Sequence, residues 1–410
     1  MTEVSRRVFL GGLTAAGAVA GSSGFLLGAG SDSAQATQTR YSIYGEKQVG
    51  ITTPAQNHLY LLAFDLADIT RSEVKDLLKR WTIMASALMA GTLNDVPQNY
   101  EAPPRDTGEA LLAGGSALTI TIGFGPSLFS TAEGDDRFGF ASLTPLELRQ
   151  LPQLARDAIR DEESFGDICL QICGDNSIAV FHAGRNLIRE AFGSATLRWS
   201  HSGFNGAVPA SKALTARNLF GFKDGTANPI GDDDLEENIW ISGSSEPPFM
   251  NGGSYLAMRK IKMHLDTWDR SPLREQEAIF GRSRDAGAPL SGGHEHSAPD
   301  FALASKDGTP LIPKDSHLAI AHSSRHGGKK MLRRGYSYEN GLDKVGNIEA
   351  GLIFIAYVNS LNVNFIPVLE ALAKSDALNE YISHVGTAVF AIPRAPRDEY
   401  DFIGSGLFES

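Results

Sequence analysis

Cysteine is almost missing from this chain: it occurs twice in 410 residues, as Cys169 and Cys173. So low a count excludes a disulfide scaffold, and the spacing forms neither CxxC nor CxxCH, so neither a thiolate zinc site nor covalent haem attachment is indicated. Positive charge is in deficit too. Lys and Arg number 37 against 48 Asp and Glu, a formal net charge of −11, the wrong sign for a nucleic-acid partner. No HExxH zinc pattern occurs. No internal repeat is evident, and no apolar run is greasy enough to read as a permanent membrane span. What is present is 42% hydrophobic and 21% charged residues, which describes a globular protein rather than a disordered or fibrous one.

The start of the chain reads as an address. Ser5-Arg6-Arg7-Val8-Phe9-Leu10 precedes a weakly apolar Gly/Ala stretch from Gly11 to Gly30 and then Ala34-Gln35-Ala36, a small-x-small cleavage pattern. This has the form of a twin-arginine export signal over residues 1–36, cleaved or retained as a tether. Removing it takes away Glu3, Asp32, Arg6 and Arg7, two charges of each sign, so the acidic balance belongs to the remainder. A route that carries folded proteins suits a cofactor inserted before export.

In the remainder, short runs read as strands: Leu59 to Phe64, Leu118 to Ile122, Ile168 to Cys173, Tyr255 to Leu265, Leu352 to Tyr357 and Ala388 to Ile392. Leu118, Ile120 and Ile122 alternate with Thr119 and Thr121, the period of a sheet with one apolar face. Thr70 and Glu73 predict a capping box ahead of the stripe Val74, Leu77, Leu78, Trp81, Met84 and Leu88. Thr144-Pro145-Leu146-Glu147 predicts a second helix start. A third stripe runs through Phe365, Val368, Leu369 and Leu372. The interleaving of strands and helices predicts an α+β chain in two halves, residues 37–215 and 216–410, each an antiparallel sheet covered by helices. Two cysteines four apart on one strand stand roughly 13 Å apart, too far to bridge, and read as core residues.

Chemistry concentrates in two clusters. One is Arg217-Asn218-Leu219-Phe220-Gly221-Phe222-Lys223-Asp224-Gly225-Thr226-Ala227-Asn228-Pro229, in which Asp-Gly by itself marks a turn. The other is Asp315-Ser316-His317 followed by Met331-Leu332-Arg333-Arg334-Gly335-Tyr336, in which an Arg-Arg pair by itself reads as surface. His294-Glu295-His296, between Gly292-Gly293 and Pro299, reads as a solvated loop.

Taken with Gly123-Phe124-Gly125-Pro126, Gly252-Gly253-Ser254-Tyr255 and Trp268-Asp269-Arg270, these clusters resemble the dye-decolourising peroxidases, in particular their iron-uptake branch, the deferrochelatase/peroxidases. The element Gly221 to Gly225 is similar to that family's GxxDG signature. The resemblance implies two ferredoxin-like domains, the second holding one non-covalent haem b. It implies His317 as the axial iron ligand, with His322 five residues on as a second candidate. It implies Asp224 and Arg333 as the catalytic pair on the peroxide side, and Gly225, Thr226, Ala227, His322, Ser323 and Ser324 beside the macrocycle. Asp401 is its candidate for the carboxylate partner of the axial imidazole. One departure stands out: Leu318-Ala319-Ile320-Ala321-His322 follows His317 where that branch carries an Arg-bearing stretch.

Two functions then compete. In one, the chain is an exported haem peroxidase acting on hydrogen peroxide and a one-electron donor, such as a dye, with Trp81, Trp199, Trp240 and Trp268 as surface relays or, more simply, core residues. In the other it handles haem or iron within an uptake system and peroxidase activity is incidental. A carrier needs His317 and a shaped pocket, but not a distal acid/base.

Overall fold

The computed structural model describes residues 39–93, 100–110, 116–206, 215–243 and 245–409. The proposed leader, with Arg6 and Arg7, lies outside them.

Nine strands are present among the described residues: β1 (His58–Leu66), β2 (Thr119–Phe124), β3 (Ile168–Gly174), β4 (Ala195–Phe204), β5 (Ser254–Met263), β6 (Leu332–Arg333), β7 (Tyr336–Leu342), β8 (Ile348–Val358) and β9 (Ile382–Ile392). Their order is β5-β9-β2-β3-β1-β4-β7-β8-β6, and β5 also pairs with β8, so the sheet closes into a barrel. The helical segments are α1 (Arg71–Ala90), α2 (Pro126–Phe129), α3 (Ser177–Glu190), α4 (Asp232–Asn238), α5 (Leu265–Trp268), α6 (Leu273–Phe280), α7 (His317–Ala321) and α8 (Ile366–Ser375).

Within the barrel, β2-β3-β1-β4 and β9-β5-β8-β7 each run in the order fourth-first-third-second or its reverse, the ferredoxin-like arrangement. The seams are short. Phe124 pairs with Ala391 where β2 meets β9, and Phe204 pairs with Ser337 where β4 meets β7. Joining the sheets edge to edge removes four exposed strand edges, each of which would otherwise leave backbone donors unpaired.

Local sequence explains the elements. Thr70 N–H donates to Glu73 Oε2 at 2.7 Å while Thr70 Oγ1 accepts from Glu73 N–H at 3.3 Å, the reciprocal cap that starts α1. The α1 stripe is buried, and Trp81 satisfies its one polar atom by donating Nε1–H to Leu187 O at 2.8 Å. In β3, Ile168, Leu170 and Ile172 face the helices, whereas Cys169 and Cys173 turn into the barrel with Leu61, Met258, Tyr336 and Tyr357. Both cysteines are buried and unbridged.

Two expectations need correction. The Thr119/Thr121 face of β2 is not solvated: it points into the lumen, where Thr121 Oγ1 donates to Val49 O at 2.7 Å and Gln171 Nε2 donates to Gly50 O at 2.9 Å. A closed barrel gives every strand two buried faces, so polar lumen residues must find partners inside. No helix starts at Thr144. Glu147 turns away to accept from Ser360 Oγ and Asn362 N–H, both at 2.9 Å, and Pro145–Leu148 forms a turn. The four tryptophans, at 0–5% exposure, are core residues, the simpler of their two readings.

Candidate active site

The second half positions the site on the outer face of β5, β8 and β9, under α7 and α8. The loop before β5 is shaped first. Asn218 Oδ1 accepts from Phe220 and Phe222 N–H, Gly221 N–H donates to Asn218 O, and Arg217 bridges Lys223, closing a tight turn. Gly221 and Gly225 sit at φ 84° and 111°, values that a side chain resists, so their glycines serve the turn itself. Asp224, Gly225, Thr226 and Ala227 emerge on the wall of a cavity; Gly221 does not reach it.

That loop is pinned by Glu295, which corrects the reading of His294-Glu295-His296 as solvated. Both histidines lie outside the core, but Glu295 is 11% exposed and accepts from Lys223 Nζ, Thr215 Oγ1 and Thr226 Oγ1. Burial acts to raise its pKa, and these three donors outweigh it and hold the carboxyl below its ordinary value. The flanking glycines had hidden a half-buried, fully partnered acid.

The Arg333-Arg334 pair also corrects a surface reading. Adjacent residues of an extended segment point to opposite faces. Arg334 enters the barrel lumen at 4% exposure, donating to Thr53 O and to Gln56 Oε1. Arg333 faces the cavity, where Asn228 Oδ1 accepts from its N–H at 3.1 Å and its Nε at 3.2 Å, and Asn228 Nδ2 donates back to Arg333 O. This clamp fixes the guanidinium stem and leaves both terminal nitrogens for the cavity.

His317 opens α7. Ser316 caps the helix by accepting from Ala319 N–H at 3.3 Å. His317 Nδ1 lies 2.6 Å from Asp376 Oδ2, and Asp376 is 3% exposed and held by Leu378 N–H on its other oxygen. Burial works against the charged imidazole, but Asp376 outweighs it and the His317 pKa is raised. Asp401 is therefore not the imidazole's partner: it accepts from Arg394 Nη1 at 2.9 Å and from Arg397, and is consumed by those two guanidiniums. His322 Nδ1 is engaged with Ser324 Oγ at 2.8 Å and its ring packs edge-on to Phe301. His322 and Ser323 line the cavity, whereas Ser324 does not.

The cavity brings Asp224, Arg333 and His317 together, with apolar walls from Ile261, Phe280, Leu352, Phe354 and Leu369. A flat apolar macrocycle fits this lining. With Nδ1 taken, Nε2 is the imidazole nitrogen left for a metal, and 32% of the His317 side chain is open although the chain surrounds it. Arg282 and Arg333 line the same space, neither has an ion pair among the described residues, and both burial and Arg333 depress the Arg282 pKa. Two neighbouring cations without direct ion pairs suit a ligand with carboxylates, as haem b has. A second cavity, reaching Tyr41, Asn57 and Phe204, shares Asn218, Asp224, Gly225, Arg333 and Leu352 with the first, so these residues form the partition.

Asp376, Glu295, Asn228 and Arg282 were missed by sequence reasoning. Asp376 alone left a local trace, as the N-cap of the short helix Ala377–Glu380.

Comparison with known proteins agrees with this geometry. Residues 48–205 match the model for the N-terminal part of Dyp-type peroxidases and residues 215–397 the model for their C-terminal part. A deferrochelatase of Escherichia coli strain K12 is 36% identical over 388 residues, covering 92% of this chain and 89% of that protein. Ferric DtpA from Streptomyces lividans superposes with a TM-score of 0.84 at 36% identity, covering 91% of this chain and 98% of its own. The DyP-type peroxidase from Cellulomonas bogoriensis gives 0.82 at 33%, covering 91% and 99%. The chain belongs to the Dyp-type peroxidases, haem enzymes that bind haem b non-covalently and use hydrogen peroxide to oxidise a reducing substrate.

Proposed function

We propose that this chain is an exported peroxidase in which His317 Nε2 ligates the haem iron, Asp224 and Arg333 act on hydrogen peroxide, and Arg282 holds a haem carboxylate. The observation that carries this reading is the His317–Asp376 pair opening into the cavity that Asp224 and Arg333 also line.

Bound haem supplies the redox chemistry by which peroxide is reduced and single electrons are then drawn from a donor. Asp376 accepts the Nδ1–H of His317, fixes the tautomer that leaves Nε2 unprotonated, and makes the imidazole a stronger donor. Asp224, at the partition between the two cavities, takes a proton from hydrogen peroxide and returns it to the oxygen that leaves as water. Arg333 stabilises negative charge on that oxygen, and the Asn228 clamp keeps the guanidinium in place at no reorganisation cost. Ile261, Phe354 and Leu369 exclude water, which strengthens each of these interactions. In the Arg333→Leu variant, haem should remain bound while the peroxide-driven change in the Soret band slows by about 10²–10³-fold. An unchanged stopped-flow rate would remove Arg333 from the mechanism.

The deferrochelatase name of the Escherichia coli relative supports a second use of the same pocket, in iron acquisition. Incubating the protein with haem and following free protoporphyrin by fluorescence separates the two uses. Release that persists in Arg333→Leu belongs to iron handling; release that stops with peroxidase activity belongs to peroxide chemistry.

Export rests on Arg6-Arg7 and the Ala34-Gln35-Ala36 pattern. An Arg6→Lys/Arg7→Lys variant should accumulate inside the cell, while the unaltered chain fractionates with the periplasm or medium.

A further inference from the structure

Away from the cavity, the loop around Asp106 docks on α3. Arg189 Nη2 donates to Pro104 O at 2.7 Å, Asn186 Nδ2 donates to Thr107 Oγ1 at 2.8 Å, and Arg185 pairs with Glu109 Oε1. His182 Nε2 lies 2.6 Å from Asp106 Oδ1, with side chains 9% and 7% exposed. Loop docking accounts for all of these contacts.

Docking does not account for two acceptors. Glu109 Oε2 and Asn186 Oδ1 are buried without a hydrogen-bond partner, and Asn186 is only 1% exposed. They stand beside the same pair: Glu109 follows Asp106 by three residues, and Asn186 follows His182 by one helical turn. Arg185 and Thr107 engage the Glu109 carboxylate, but buried acceptors are rarely left alone, and Asn186 Oδ1 has no donor in a cluster that also holds a buried carboxylate and an imidazole. The ligating atoms of Asp106, Glu109 and His182 all lie within 4.8 Å of one another. A tetrahedral ion about 2.1 Å from each would need separations of about 3.4 Å, within reach of small side-chain rotations.

We propose that Asp106, Glu109 and His182 form a binding site for a divalent transition-metal ion, separate from the haem cavity. The donor set decides the class. One imidazole nitrogen and two carboxylate oxygens suit zinc and similar first-row ions, whereas calcium and magnesium favour all-oxygen shells. Two carboxylates neutralise the ion. Arg185 keeps Glu109 Oε1 and so orients Oε2 toward the metal, the outer partner such ligands ordinarily have. None of the three ligands lines the haem cavity, so metal and haem occupy the chain together.

The test uses the untagged haem-loaded protein, stripped with a chelator and dialysed against Zn2+, with bound zinc measured by elemental analysis and affinity by calorimetry. One equivalent should bind with micromolar or tighter affinity. Glu109→Gln and His182→Gln should each weaken it roughly tenfold or more, while a His294→Ala/His296→Ala variant leaves it unchanged. Dye turnover by Glu109→Gln should match that of the parent. No saturable zinc, or zinc that survives in Glu109→Gln and disappears with His294 and His296, would overturn the site. Should the variants fold poorly, the parent still decides: added Zn2+ must raise its melting temperature in proportion to the logarithm of zinc concentration, and a flat response overturns the proposal.

Discussion

Asp376 Oδ2 sits 2.6 Å from His317 Nδ1 across 59 residues of sequence, and this contact sets which imidazole nitrogen is free. Asp376→Asn removes the acceptor charge but preserves shape. Peroxidase activity should fall about 10- to 100-fold with haem retained. Asp401→Asn should leave both the haem spectrum and kcat untouched, because Asp401 serves Arg394 and Arg397. Equal kinetic losses in the two variants would contradict this assignment.

Asn228 touches no part of the cavity's His317 wall, yet it receives the main chain and Nε of Arg333. Asn228→Ala frees the guanidinium and should reproduce part of the Arg333→Leu defect, roughly a tenfold loss in the rate of the peroxide step, with donor KM unchanged. Rate constants measured by stopped flow at varied peroxide concentration check this.

Glu295 ties its loop to Lys223, Thr215 and Thr226, and its carboxyl is held below the ordinary 4.5. A depressed carboxylate stabilises the fold above its unfolded pKa and loses that contribution as pH falls through the folded value. The loop therefore stays clamped at pH 5 and loosens only in stronger acid. Glu295→Gln should cost about 1.5–3 kcal/mol at pH 7 and progressively less as acid takes the pH below the ordinary carboxylate value, measured by denaturant unfolding. A constant difference across that range would show that the charge is not what matters.

Two histidines, buried His201 and half-buried His384, act in a different window. His201, stacked on Trp199 at 4.6 Å, is pushed down to about 3 by burial and by Lys260, and His384 to about 4 by burial and by Arg259. Unfolded, each takes a proton near 6.5, so acidification favours the unfolded chain. Stability should be complete above pH 6.5 and fall toward pH 4 by up to about 1.4 kcal/mol per pH unit for each histidine. Replacing His201 by Gln should flatten that slope, and an unaltered slope would rule it out as the titrating group.

How much of this was legible depends on how local each cause is. The capping box of α1 and the apolar runs of β1, β2 and β3 are contained in a few consecutive residues and read correctly. β4 was missed because its outward residues, Ser200, Ser202 and Phe204, dilute the inward row Trp199, His201 and Gly203. β7 begins as Tyr336-Ser337-Tyr338 and ends in a polar, Gly-containing tip, which masks its period. Closure of the barrel could not be read at all, since its seams rest on single pairs such as Phe204 with Ser337. Asp224, Arg333 and His317 were found through an ordered resemblance, and the cavity brings them together. Their supports were not found, because Asn228, Glu295 and Asp376 act at sequence separations of 59 to 105 residues through one hydrogen bond or a few.

The central claim is that His317 Nε2 holds the iron. The decisive measurement is the absorption and electron paramagnetic resonance spectrum of His317→Gly loaded with haem, recorded with and without added imidazole, beside His322→Ala. The account predicts that His317→Gly loses the parent's spectrum, that imidazole restores it, and that His322→Ala keeps it. A parent-like spectrum in His317→Gly, with its loss in His322→Ala, would contradict the account.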